Sequence, residues 1–217
     1  LIVRTFAQSD VDELGKYASI PVINALTDDD HPTQLLADWL TIREQFGKDI
    51  KNRKFVYVGD GNNVAAAWLI MGATMGAHDV VATPGGKWAP KSSVVEQANK
   101  IAKQSGAKIE VVTDPKEAVS GASVVYTDVW MSMGDSEADR SEKIAALTPF
   151  AVTNELMKLT AKDSIFMHCL PAHRGEEVAA DVIDGSKSVV WRQAFHRRTT
   201  IQSLLYHLTK GDLKGNK

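Results

Sequence analysis

The chain has 217 residues, 44% of them hydrophobic and 24% charged, with a formal net charge of -2, the make-up of a globular chain long enough for one large domain and part of another. Interspersed acidic and basic residues leave no electrostatic footprint for nucleic acid or an anionic membrane. No run reaches the ~18 apolar residues of a membrane span, and a single cysteine, Cys169, excludes an internal disulfide framework or a cysteine-rich zinc site. The opening Leu1-Ile2-Val3-Arg4-Thr5-Phe6 lacks an initiating methionine and a basic leader, so the expectations are a reducing cytoplasm and a preceding segment outside this sequence.

In chain order, β-like runs at 1–5, 20–24, 54–59, 79–83, 108–113, 123–127 and 164–168 alternate with helical patterns. This predicts an α/β fold built on a doubly wound, mostly parallel sheet. A helix opens at Pro32, presents Leu35, Leu36, Trp39, Ile42 and Phe46 at three- and four-residue spacing, and stops at Gly47; it is expected to join two domains. The last helix, from about Gln193 to Leu208, carries Ile201, Leu204, Leu205 and Leu208 as an apolar stripe that must pack on something.

Three segments point to a crevice. Phe55 to Val64 reads as strand, tight Gly59-Asp60-Gly61 turn and helix start, but lacks the third glycine and the ribose-binding acid of a dinucleotide fingerprint. The turn brings Asn62 or Asn63 and free helix N–H groups to the crevice, with a simple capping asparagine as the plainer reading. After the strand 123–127 comes Asp128-Val129-Trp130-Met131-Ser132-Met133-Gly134 and a polar stretch from Asp135 to Glu142, read as a lid hinged near Gly134. Here Asp128 could hold an ammonium group and Ser132 a carboxylate, against the plainer reading of a solvated loop. Phe166-Met167-His168-Cys169-Leu170-Pro171 places a His-Cys pair at a strand end, where parallel sheets meet ligands, although a buried structural thiol is the commoner fate of a lone cysteine. A metal site on His168, Cys169 and His173 lacks a fourth ligand at the usual spacing. His78, His196 and His207 read as surface or packing residues, and Trp39, Trp68 and Met71 as core.

Taken together, His31-Pro32-Thr33-Gln34, Gly59-Asp60-Gly61-Asn62-Asn63, Asp128 to Gly134 and His168-Cys169-Leu170-Pro171 closely resemble the ornithine carbamoyltransferases, within the aspartate/ornithine carbamoyltransferase family. The extension Ala172-His173-Arg174-Gly175-Glu176-Glu177-Val178 resembles their bacterial biosynthetic branch. The resemblance implies transfer of a carbamoyl group from carbamoyl phosphate to the δ-amine of L-ornithine, giving citrulline and phosphate in arginine biosynthesis, with no metal or organic cofactor. It implies that His31, Gln34 and Arg197 hold the carbamoyl group, that Asn63, Asp128, Ser132 and Met133 contact ornithine, and that Cys169 and Leu170 lie where the substrates meet. The chemistry requires such a site. An alkyl amine of pKa about 10.4 must lose its proton before attack, a cost of roughly 4 kcal/mol near pH 7.4. Asp128 and Cys169 are expected to orient that amine and help it deprotonate, while His31, Gln34 and Arg197 polarise the carbonyl.

The same resemblance divides the chain. Residues 1–30 would be the incomplete end of a carbamoyl-phosphate-binding domain, 31–47 an interdomain helix, 48–190 the ornithine-binding domain, and 191–217 a helix returning toward the first domain. Two departures stand out. The family's Ser-Thr-Arg-Thr-Arg phosphate loop is absent from this sequence, so the isolated chain is expected to be incompetent for catalysis. Gln193-Ala194-Phe195-His196-Arg197 stands where the family commonly reads Glu-Ala-Glu-Asn-Arg, which leaves Arg198 as a competitor for the role of Arg197. The full protein is expected to be a homotrimer acting on small molecules. Alternatives are a sister enzyme using putrescine or N-acetylornithine, or a non-catalytic remnant.

Overall fold

The computed structural model describes residues 1–48, 50–131, 139–211 and 213. Seven strands, β1 (Ile2–Arg4), β2 (Ile23–Leu26), β3 (Lys54–Val58), β4 (His78–Ala82), β5 (Lys108–Val112), β6 (Val124–Thr127) and β7 (Ile165–His168), overlap the seven runs expected from sequence, with β2 displaced toward the C-terminus of the expected 20–24 run. Nine helices among the described residues lie between and after them: α1 (Gln8–Tyr17), α2 (Pro32–Phe46), α3 (Asn63–Met75), α4 (Ser92–Ser105), α5 (Pro115–Val119), α6 (Arg140–Leu147), α7 (Asn154–Met157), α8 (Ala180–Ile183) and α9 (Val190–Lys210). No helix among the described residues is long and apolar enough to cross a membrane.

The first two strands pair in parallel as a small sheet, and the other five form a parallel sheet in the order β5-β4-β3-β6-β7. Period-two alternation explains why both faces are covered. Phe55 and Tyr57 pack with Leu35, Trp68 and Leu69 on one face, while Val56 and Val58 pack with Val119, Phe150 and Val182 on the other. The fold is therefore α/β with helices on both sides of a parallel sheet. From β3 the chain winds outward to β5 and then crosses back to β6, so the strand order reverses between β3 and β6. Loops leaving the carboxyl ends of those two strands diverge and leave a crevice.

Two helices depart from the expected patterns. In α2, Leu36 is 38% exposed, and the buried row includes Gln34 and Asp38 beside Leu35, Trp39 and Ile42. Residues 34 and 38 stand one turn apart and face α9, where polar partners await them. In α9 the buried residues are Val190, Gln193 and His196, and the stripe Ile201, Leu204, Leu205 and Leu208 remains partly or largely exposed. Its early turns lie against α2, tied by Glu44 to Arg192 and to His196, so burial follows that contact rather than the downstream apolar stripe.

Candidate active site

A cavity of about 840 Å³ opens at the strand-order reversal. Its floor comes from the ends of β3, β6 and β7, and its other wall from the ends of β1 and β2, the start of α2 and one residue of α9. This assembly brings His31, Gln34, Asn63, Asp128, Cys169, Leu170 and Arg197 to one space. Ser132, Met133 and residues 135–138, the first half of the lid segment expected from 135 to 142, lie outside the described residues, and residues 140–142 begin α6.

On the β6–β7 side, Asp128 is the centre. It is buried, and its Oδ1 accepts from the Cys169 thiol at 2.8 Å and from the Val129 N–H at 2.8 Å. Its Oδ2 accepts from Asn62 Nδ2 at 2.8 Å. Asn62 in turn caps α3: its Oδ1 accepts from the Val64 and Ala65 N–H groups and from the Tyr57 hydroxyl. The capping reading and the site reading of this asparagine are thus both true, because the cap fixes the oxygen end and so aims the NH₂ end at Asp128. Asn63 lines the cavity and donates to the Thr27 carbonyl oxygen at 2.7 Å, crossing to the end of β2. Burial, reinforced by the Asp128 charge, pushes the Cys169 thiol well above its ordinary pKa. Cys169 therefore acts at neutral pH as a protonated donor to the carboxylate rather than as a thiolate.

The loop bearing Cys169 is held from behind. His168 is buried; its Nδ1 accepts from the Leu170 N–H at 2.9 Å, and its Nε2 lies 3.1 Å from Glu177 Oε1. With Nδ1 accepting, the ring proton sits on Nε2 and is donated to Glu177. Leu170 takes φ 60, a left-handed conformation uncommon outside glycine, and the peptide to Pro171 is cis. The Leu170 N–H to His168 bond stabilises this turn, which carries Leu170 into the cavity.

On the opposite side, Arg197 Nη1 donates to Gln34 Oε1 and lies 3.3 Å from His31 Nε2. Arg4, at the end of β1, also lines the cavity. Burial, then the guanidinium charges of Arg197 and Arg4, hold the His31 pKa down at about 4, against an ordinary value of 6.5. The cations of this wall are therefore the two arginines, and His31 supplies a neutral hydrogen-bonding imidazole. We expect the His31 ring to titrate near pH 4 when followed by NMR. The sign follows from burial of the neutral form: stability is lost as pH falls from about 6.5 toward 4, where the unfolded chain binds a proton that the folded chain refuses. A midpoint at 6 or above would contradict the assignment.

Arg198 is set over the Phe195 ring rather than in the cavity, so Arg197 alone of the two reaches it. Gln193 and His196, the departures from the family pattern, both point inward. Gln193 bonds to Asp38, Tyr126 and the His168 N–H, and His196 lies 2.9 Å from Glu44. Sequence reasoning did not single out Arg4, Asp38 or Gln193 as site residues. The only available signal for Arg4 was its place at the carboxyl end of a parallel strand. Nothing local marked Asp38 among the apolar positions of α2.

Such a site, with two guanidinium groups on one wall and a carboxylate–thiol pair on the other at the switch point of a parallel sheet, defines an α/β protein whose crevice has charges complementary to an anion on one side and to a cation on the other. Residues 51–208 match the Asp/Orn binding domain of aspartate/ornithine carbamoyltransferase, and residues 1–44 match its carbamoyl-P binding domain. The chain belongs to the aspartate/ornithine carbamoyltransferase family. It is 50% identical over 208 residues to an ornithine carbamoyltransferase of Anoxybacillus flavithermus, covering 96% of this chain and 65% of that protein. It is 49% identical over 214 residues to the anabolic ornithine carbamoyltransferase of Pyrococcus furiosus, covering 99% and 67%. The solved structure of ornithine carbamoyltransferase from Pyrococcus furiosus superposes with a TM-score of 0.91 at 49% identity, covering 98% of this chain and 67% of that one. The chain thus spans about two thirds of the length of these relatives.

Proposed function

We propose that this chain supplies the ornithine-binding part, and one wall of the carbamoyl-phosphate site, of an enzyme that transfers the carbamoyl group from carbamoyl phosphate to the δ-amine of L-ornithine. The observation that carries this reading is the pairing across one cavity of Asp128 and Cys169, 2.8 Å apart, with Arg197, Gln34 and His31. The ammonium of ornithine has a counter-charge in Asp128, whose two oxygens are already oriented by the thiol and by Asn62. Cys169, as a neutral thiol, orders the carboxylate without adding a second negative charge, so the pair can accept a δ-ammonium and release it as the amine. One ammonium proton passes to solvent before attack, and the departing phosphate takes a second as the C–N bond forms and the bond between the carbamoyl carbon and the phosphate oxygen breaks.

On the carbonyl side Arg197 can donate to the carbamoyl oxygen and Arg4 adds a second positive charge beside the anionic donor, whereas Gln34, its NH₂ committed to Asp38, turns its Oε1 to the cavity and can accept from the carbamoyl NH₂ rather than polarise the carbonyl. Charge developing on the tetrahedral oxyanion meets the two guanidinium groups without their having to reorganise. The names of the relatives support ornithine over putrescine or N-acetylornithine as the acceptor. Under the same reading residues 1–30 end a carbamoyl-phosphate-binding domain, 31–47 link it to the ornithine-binding domain of 48–190, and 191–217 return toward the first. The whole protein would work as a cytoplasmic homotrimer, a state that family likeness supports.

The test is a citrulline assay on the whole protein with carbamoyl phosphate and, in parallel, ornithine, putrescine and N-acetylornithine. Ornithine is expected to be preferred by kcat/KM. Preference for either other amine would overturn the acceptor assignment, and no turnover with any of them would overturn the transferase reading.

A further inference from the structure

Behind the cavity wall lies a buried carboxylate that the reaction as described does not use. Asp38 is fully buried, one turn after Gln34 on α2. Its Oδ1 accepts from Gln34 Nε2 at 2.8 Å and from Gln193 Nε2 at 2.7 Å, while its Oδ2 is buried with no hydrogen-bond partner. The oxygen ends of the two amides point opposite ways. Gln34 Oε1 meets Arg197 in the cavity, and Gln193 Oε1 accepts from the backbone N–H of His168, the residue before Cys169, at 3.0 Å.

A glutamine amide is nearly symmetric in shape, so packing alone sets its polarity weakly. A carboxylate only accepts. With Asp38 ionised, both NH₂ groups must turn to it, and both carbonyl oxygens must then face away, one to the arginine and one to the end of β7. A flipped Gln34 would set NH₂ against the Arg197 guanidinium. On stability grounds alone an aliphatic residue would serve better beside Leu35 and Trp39, since a buried carboxylate with an empty lone-pair side is costly.

We propose that Asp38 is a positioning residue which sets the polarity of the Gln34 and Gln193 amides and so holds the carbamoyl wall and the Cys169-bearing strand end in one register. The inference rests on the carbamoyl-transfer reading for its kinetic consequence, but not for the amide polarity itself. The other titratable or charged groups facing Asp38 are Tyr126 from β6, Arg197 from α9 and Cys169 after β7. Burial raises the Asp38 carboxyl to about 7, opposed by hydrogen bonds from Gln34 and Gln193. The restraint on the amides therefore strengthens as pH rises through neutrality.

Two variants and two readouts test this in the whole protein. Asp38→Leu removes the acceptor, and KM for carbamoyl phosphate is expected to rise about tenfold, the effect of one lost hydrogen bond, with a smaller change in kcat. Asp38→Asn keeps an acceptor oxygen and the shape, and is expected to retain most of kcat while flattening the fall of that KM between pH 6 and 8. Independently of turnover, the side-chain amide ¹⁵N signals of Gln34 and Gln193 are expected to shift together with a midpoint near pH 7 in the unsubstituted protein and to stay fixed in Asp38→Asn. Amide signals that ignore pH, or that titrate unchanged in Asp38→Asn, overturn the inference whether or not the protein makes citrulline. If the amides titrate together and no citrulline forms, the positioning role stands and the transfer reading falls.

Discussion

Asp128→Ala is expected to lower kcat/KM for ornithine by about 100- to 1,000-fold, corresponding to roughly 3–4 kcal/mol. Three donors converge on this carboxylate: the Cys169 thiol, Asn62 Nδ2 and the Val129 N–H. Removing it deprives the substrate ammonium of its counter-charge and leaves three donors in a buried setting without their acceptor, and truncating one member of such a set costs more than the pair itself contributes. The loss should be selective. The carbamoyl-phosphate wall is built on Arg197, Gln34 and His31 from other elements, so KM for carbamoyl phosphate should change less than threefold, within ~0.6 kcal/mol. Asp128→Asn should fall between, since it preserves shape but can no longer accept on both oxygens. Steady-state kinetics with each substrate varied decides the matter. Parallel loss for both substrates would mean that Asp128 holds the fold of the site rather than the amine, and thermal unfolding of the variant would then show it.

Gly61→Ala is expected to destabilise the protein by about 2–3 kcal/mol and to weaken ornithine binding at the same time. A Cβ at residue 61 would lie 2.3 Å from Ala89 C and 2.3 Å from Pro90 N, both backbone atoms, with Pro90 Cδ at 2.7 Å. No side-chain rotation relieves that overlap. The turn that carries it is also held by the Gly61 N–H to Trp88 oxygen bond at 2.8 Å, and by Asp60, whose carboxylate pairs at 2.7 Å with the nearly buried Lys143. Relief must come by moving the turn, which displaces Asn62, and with it both the cap of α3 and a donor to Asp128. For a chain of this size the melting temperature should drop by roughly 5–10 °C. Gly15→Ala is the matched control. Residue 15 lies within α1 with no atom near its would-be Cβ, and alanine there should stabilise by about 0.5–1 kcal/mol through helix propensity alone. Equal melting temperatures for Gly61→Ala and the parent would refute the close-approach argument.

These two positions differ in how far they could be read without a structure. Asp128 follows the β-branched and aromatic run Val124-Val125-Tyr126-Thr127, and the end of a parallel strand is where a ligand-facing acid belongs, so its place in the site was legible. Its neighbours were legible in part. The Gly59-Asp60-Gly61 turn announced an asparagine in the crevice but left Asn62 and Asn63 undecided. The division between them depends on Tyr57, Val64 and Asp128 for one and on Thr27 for the other. Residues 132 and 133 were expected to join them and lie outside the described residues.

Strands and their faces were open to sequence reading because period-two burial is a local property. Phe55, Tyr57 and Val56, Val58 go to opposite faces whatever partner strand lies beside them. Cys169 could be placed by its strand end, whereas His31 and Arg197 were expected in the site from the resemblance to the carbamoyltransferases rather than from a local pattern. What only the tertiary structure decided is the polar wiring behind them. Asp38 meets Gln193 across 155 residues, and Asn62 meets Asp128 across 66. A hydrogen bond between side chains that far apart leaves no periodicity in either segment. Its direction is set by which other donors and acceptors the fold buries around it, as Arg197 and Arg4 do for His31. The pattern of apolar residues therefore specifies the sheet and its crevice, whereas the orientation and charge of the groups in that crevice emerge only when α2, α9 and the ends of β6 and β7 are packed against one another.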